Sequence, residues 1–265
     1  MCRWMHTYAG EVSFSDWADL PDDDALARIV VVSPHFDDAV QGAGLLLARH
    51  PGSTVLTVFG GPPAAYPDPV SDWDALGGFA AGDDVVGLRR EEDAAALAVL
   101  GALPHWLDLA DHQYVDVADR AAPEAVAARL RDALHDLSPS AVFVPFGLGN
   151  PDHDVTHLAA RLLFDEESRW RWYCYEDAGY KHIPGLLAWR ISALFQAGWW
   201  PTPAVVPLAD DLARKRHALF AYASQIPPLR RDHLLDARLD ANVAEQHWRI
   251  ARPPEGWDGL RDLPG

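Results

Sequence analysis

Between residues 28 and 164 the chain alternates apolar, β-branched runs with stretches of helical periodicity, and that alternation leaves few folds open. The strand-like runs fall at 28–33, 53–59 (STVLTVF), 105–109 and 140–146, each rich in Val, Leu or Phe. Helical patterns lie between them at 40–49, 86–100 and 122–137, the second repeating Leu88, Glu92, Ala96 and Leu100 at four-residue spacing. Strand, helix, strand predicts an α/β fold, a mostly parallel sheet with helices on both faces. Ligands bind such sheets at the carboxyl ends of the strands, so the residues that follow each apolar run are where chemistry is sought first.

Two of these places carry histidine and aspartate together. After Ile29, Val30, Val31, Val32 and one serine comes PHFDD: Pro34, His35, Phe36, Asp37 and Asp38. After the run 141–146 comes NPDHDVTH over 150–157, ahead of a helix-like stretch at 158–164. Consecutive residues project in different directions, so of Asp37 and Asp38 one can bind a metal while the other handles protons. His35 and Asp38, three apart in a turn, are close enough to share an ion, and imidazole with carboxylate suits zinc. A catalytic zinc usually has three protein ligands and an open position, so a third ligand comes from elsewhere in the chain. His157 follows His153 by four residues, so a rival ligand set is His153 and His157 with His35 or Asp38. Taken alone, PHFDD also reads as a polar turn whose aspartates cap a helix beginning near Val40.

The 265 residues, 49% hydrophobic and 23% charged, are globular material for which one domain, 1–265, is expected. With 39 acidic against 22 basic residues and a net charge of −17, the field repels nucleic acid and anionic lipid, leaving a neutral or cationic small molecule as the easier partner. No run reaches membrane-span length, and the opening MCRWMHTYAG lacks a signal peptide's apolar core. Cys2 and Cys174 make no disulfide framework, which fits the cytoplasm. Residues 60–84, dense in Gly, Pro and Asp, are expected to form a long surface loop, a lid over substrate or a mobile segment. Later come strand-like WRWYCYED (170–177), a helical segment around 208–224 and a Pro-rich tail from Pro253. Trp199, Trp200 and Pro201 are expected in the core rather than around a sugar ring. No Gly-rich phosphate loop supports a phosphatase. Monomer and homo-oligomer both stay open.

Taken together, the motifs resemble the zinc-dependent LmbE/PIG-L deacetylases, which remove acetyl groups from N-acetylglucosamine units. Pro34, His35, Asp37 and Asp38 match the family's PHxDD motif, and Asp152 and His153 its later HxDH-type motif. Arg89, Glu92, Leu100 and Gly101 fit its helix ending in Leu-Gly; Tyr175, Glu176, Asp177 and Tyr180 fit YEDxxY; Tyr222, Ser224 and Gln225 fit YxSQ. The resemblance covers about residues 28–250 and implies one Rossmann-like domain with a C-terminal extension. It implies zinc held by His35, Asp38 and His153, with Asp37 as general base.

One position departs from the pattern. The family's second motif usually opens on a histidine that protonates the leaving amine or stabilises the oxyanion, and here that position is Asn150. Asparagine donates a hydrogen bond but delivers no proton. Asp37 is therefore expected to carry both proton transfers, with Asn150 steadying the oxyanion. Asp152, assigned to the same catalytic group, loses the histidine it would tune or else caps the following helix. Arg89 resembles a sugar-contacting arginine, against an ion pair with Glu92 or Glu176; Glu176 and Asp177 border the pocket or form a solvated turn. His6, His50, His105, His112, His135, His182, His217, His233 and His247 show no ligand spacing and read as structural or surface residues.

The resemblance thus implies deacetylation of an N-acetylamino sugar, with two alternatives: an amidase for a larger N-acyl group, its size limit set by 60–84, or a binding protein that kept zinc and lost catalysis.

Overall fold

The computed structural model describes residues 24–240 and 245–253. Cys2, His6, the opening ten residues and the tail beyond Pro253 lie outside the described residues.

Strands β1 (Ile29–Ser33) and β4 (Ala141–Pro145) are buried at every position. Their side chains alternate between two cores: Ile29, Val31, Ala141 and Phe143 face one, Val30, Val32, Val142 and Val144 the other. A strand packed on both faces needs apolar residues without a break, which explains why these two runs read so plainly. Around them lie β2 (Thr54–Thr57), β3 (Leu103–Trp106) and β5 (Arg171–Tyr175). An antiparallel extension of β7 (His247–Ala251) and then β6 (Trp200–Ala204) follows β5. The strand order is β3-β2-β1-β4-β5-β7-β6, with the first five parallel. This is the Rossmann-like mostly parallel sheet with a C-terminal extension.

Helices cover both faces. One layer comprises α1 (Asp38–Arg49), α3 (Val85–Leu100) and α7 (Leu212–Phe220). The other comprises α4 (Pro123–Leu137), α5 (Pro151–Glu166) and α6 (Leu186–Gln196). Helix α3 ends at Leu100 because Gly101 takes φ +76°, a left-handed cap that glycine adopts without strain.

Several boundaries differ from the sequence reading. The loop at 60–84 contains α2 (Asp72–Leu76), capped by Ser71 and anchored by the buried Asp74. Both motif helices start earlier than expected, α1 at Asp38 and α5 at Pro151, so Asp152 and His153 lie in the first turn of α5 rather than ahead of it. Two further short helices, α8 (Ile226–His233) and α9 (Leu235–Asp240), add Ile226, Leu229 and Leu235 to the core under the first layer. Trp199 packs edge-on against Phe164 in the core, as expected. Among the described residues no helix is long and apolar enough to cross a membrane.

Candidate active site

The strand order reverses between β1 and β4, and both histidine–aspartate motifs hang from that crevice. After β1 the chain turns tightly: the Ser33 hydroxyl donates to the His35 carbonyl and accepts the Ala39 N–H at 2.9 Å, and Phe36 anchors the turn in the core. The His35 N–H donates to Asp38 Oδ2 at 3.0 Å, which aims that carboxylate back over the turn. After β4, Gly149 at φ +70° brings the backbone so close to Tyr180 that a Cβ would lie 2.2 Å from its ring. Asn150 then caps α5, its side-chain oxygen accepting the Asp152 N–H at 2.8 Å, and Pro151 takes the first helical position.

Three donor atoms converge. His35 Nδ1 lies 3.3 Å from Asp38 Oδ2, and His153 Nε2 lies 3.1 Å from the same oxygen. Ligands around a tetrahedral zinc at about 2.0–2.1 Å sit about 3.3–3.4 Å apart, so the spacing fits that ion. The far nitrogen of each imidazole is held by a carboxylate: His35 Nε2 by Asp152 at 3.0 Å, and His153 Nδ1 by Asp177 at 2.6 Å. Such outer contacts fix the tautomer and aim the ligating nitrogen. Electrostatics agrees with the geometry. Burial alone would lower both imidazoles, yet Asp111, Asp152 and Asp38 raise His35 well above its ordinary value, and Asp38 and Asp177 raise His153 to about 9. The field at the site favours a cation. The residues present therefore suit a zinc ion.

Asp37 stands beside this set without belonging to it. Its side chain accepts the Gln41 amide at 2.7 Å. Burial and the charge of Asp38 push its carboxyl above the usual range, whereas Asp38, which burial would also raise, is held well below it by His153 and His35.

The remaining sequence candidates sort clearly. Asp152 both follows the cap and supports two histidines: besides His35 it accepts the backbone N–H of His112 at 3.0 Å and meets His112 Nδ1 at 3.1 Å. Arg89 lines the same cavity, but its partner is neither Glu92 nor Glu176; the guanidinium donates to Asp74 at 2.8 Å and to the Tyr114 hydroxyl. Glu92 instead accepts Ser224, and Glu176 accepts Lys181 and Trp248. His157 is packed, its ring nitrogen donating to the Pro145 carbonyl at 3.0 Å, and takes no part in the cluster.

Sequence reasoning missed Asp111, His112 and the support role of Asp177. His112, read as structural or surface, belongs to the site: with His35, Asp111 and Asp152 it forms a second group of convergent donors. It arrives on the loop after β3, which a parallel bridge from Ala110 to Gly61 ties to the loop after β2. His112 is raised to about 9 by its hydrogen bonds to Asp111 and Asp152. The signal in the sequence was the position of DHQ after a strand, the same rule that picked out the two motifs. His233, also set aside, lines the cavity with Trp73 and Tyr180, whose rings meet its imidazole edge-on at 6.0 and 5.0 Å.

A parallel sheet with a metal-capable His/Asp cluster and a separate buried carboxylate at its switch point defines a metal-dependent hydrolase class. A family model described as PIG-L: GlcNAc-PI de-N-acetylase matches residues 30–164, and the chain belongs to that family. Among solved structures, a deacetylase triple mutant of the teicoplanin biosynthetic pathway is 26% identical, over 86% of this chain and 100% of that one, with a TM-score of 0.68. The A40926 pseudoaglycone deacetylase Dbv21 is also 26% identical, over 86% and 98% of the two chains, with a TM-score of 0.69. An N,N′-diacetylchitobiose deacetylase from Pyrococcus horikoshii, 16% identical over 90% of each chain with a TM-score of 0.52, shares the fold. No curated protein matches the chain.

Proposed function

We propose that this protein is a zinc-dependent deacetylase that removes an acetyl group from an N-acetylamino sugar of the N-acetylglucosamine type, carried on a small molecule or glycoconjugate. The observation that carries the reading is the convergence of His35, Asp38 and His153 on one point, with Asp37 beside it and free of it. Those three residues would hold the zinc, which would supply Lewis-acid polarisation of the amide carbonyl and a lowered pKa for water. Asp37, kept basic enough by burial and by Asp38, accepts the proton of the attacking water. Asn150, whose oxygen is committed to the helix cap and whose side chain also hydrogen-bonds Tyr180, lines the cavity, where we assign its amide to steady the oxyanion. Asp152 orients His35.

Trp73, Tyr180 and His233 form an aromatic wall suited to the face of a sugar ring. Arg89 lines the same cavity with Tyr114, whose hydroxyl it holds, and that is the substrate-binding role we propose for it. Trp73 comes from the 60–84 segment, so the same segment that reads as a lid shapes the pocket. A second reading, an amidase for a larger N-acyl amino-sugar conjugate, is favoured by the apolar residues Val86 and Leu229 that line the same cavity. We place the reaction in the cytoplasm, in keeping with the free, buried Cys174.

Metal analysis of the purified protein, with amine release measured on acetyl, octanoyl and other N-acyl glucosamines, tests the proposal. About one zinc per chain and release from the acetyl compound are expected, and Asp37→Asn is expected to lower kcat by about 10²-fold or more while zinc stays bound. A protein without bound metal sinks the reading; a strong preference for the octanoyl amide moves it to the amidase.

A further inference from the structure

Asp152 holds two imidazoles on one oxygen, and only one of them is aimed at the metal donors. His35 Nε2 approaches Asp152 Oδ2 at 3.0 Å; His112 Nδ1 approaches the same oxygen at 3.1 Å and Asp111 Oδ1 at 3.1 Å. The His112 ring is thus oriented by two carboxylates through one edge, and by its own backbone N–H bonded to Asp152 at 3.0 Å. Nε2, on the opposite edge, has none of these partners, and the residue lines the cavity with its side chain a quarter exposed. Position 150, by contrast, has its side chain engaged as a helix cap.

We propose that His112 is a catalytic residue, the donor that delivers a proton from Nε2 to the departing amine nitrogen. This rests on the deacetylase reading above. Water attacks the amide carbon, forming the new C–O bond, and gives its proton to Asp37. The C–N bond then breaks, its electron pair staying on nitrogen, and nitrogen takes the His112 proton as the carbonyl reforms. Free acid and free amine result; Asp37 releases its proton and His112 regains one through solvent. Asp37 is then needed only as base, and Asn150 costs the reaction nothing.

The test uses the full-length, zinc-loaded protein on an N-acetylated glucosamine that the parent hydrolyses. His112→Gln keeps a group able to hydrogen-bond Asp152 but donates no proton. It is expected to lose about 10²- to 10⁴-fold in kcat, with KM and bound zinc within threefold of the parent. Added imidazole should restore at least tenfold to His112→Ala. Asn150→His should rescue the His112→Ala background by tenfold or more. An active parent whose His112→Gln variant keeps its kcat overturns this inference alone and returns both transfers to Asp37. Loss of zinc from His112→Gln also overturns it, since His112 would then only brace the metal site through Asp152. A parent inactive on every acylated glucosamine overturns the hydrolase reading and this inference with it.

Discussion

His157 sits one helical turn beyond His153, yet the two imidazoles do opposite things. His153 is charged up by Asp38 and Asp177, while burial and the charge of Arg190 lower His157 to about 3. An unfolded His157 titrates near 6.5, so between pH 6.5 and 3 the unfolded chain binds the extra proton. Its stabilising contribution is whole above about pH 6.5 and shrinks as pH falls toward 3. At pH 4.5 the loss is about 2–3 kcal/mol, at about 1.4 kcal/mol per pH unit. His157→Asn keeps a donor for the Pro145 carbonyl and has no proton to bind, so urea unfolding at pH 7 and 4.5 should show a clearly smaller acid loss than the parent; equal losses would refute the assignment. Spacing could not separate these histidines, because both lie on one helix face and differ only in what the sheet puts against them. The same limit hid Asp177 and His112. Their partners are 24 and 40 residues away in the chain, brought close by β5 pairing with β4 and by the loop after β3, which is bridged to the loop after β2.

At the scale of elements, the first turn of α5 carries the second motif, and Asn150 fixes where that turn begins. An asparagine at this position is a helix cap. Asn150→Ala should cost about 1 kcal/mol in urea unfolding, with Asn150→Ser recovering most of it; an alanine variant as stable as the parent would mean the cap carries no energy. The elements most legible in the sequence are those buried on both sides, β1 and β4, and the long helices that cover them. Those least legible sit at margins. Strand β3 reads Leu103, Pro104, His105, Trp106, and only its last two residues fell inside the expected 105–109. Strand β6 is WPTPA, a poor strand by composition that among the described residues pairs only with β7. Helix α2 was lost among Gly, Pro and Asp because its stability comes from contacts: Ser71 caps it, and Asp74 meets Arg89 and Tyr114.

For the whole molecule, the metal donors come from both sides of the switch point, the turn after β1 and the start of α5. An ion bound only by the folded chain adds stability by mass action, about 2.7 kcal/mol at a hundredfold excess over Kd. Zinc should therefore raise Tm in the parent, a chelator should lower it again, and Asp38→Ala should abolish the shift; an unchanged Tm on loading would show that the donors do not act as a preformed site. The two margins of the sheet have a further consequence. Strand β3 carries Pro104 at one edge, and β6 carries Pro201 and Pro203 at the other, two apart and so on the same side of the strand. Proline offers no N–H to an incoming strand. Neither border, among the described residues, is a good template for adding a further strand, which disfavours edge-to-edge aggregation.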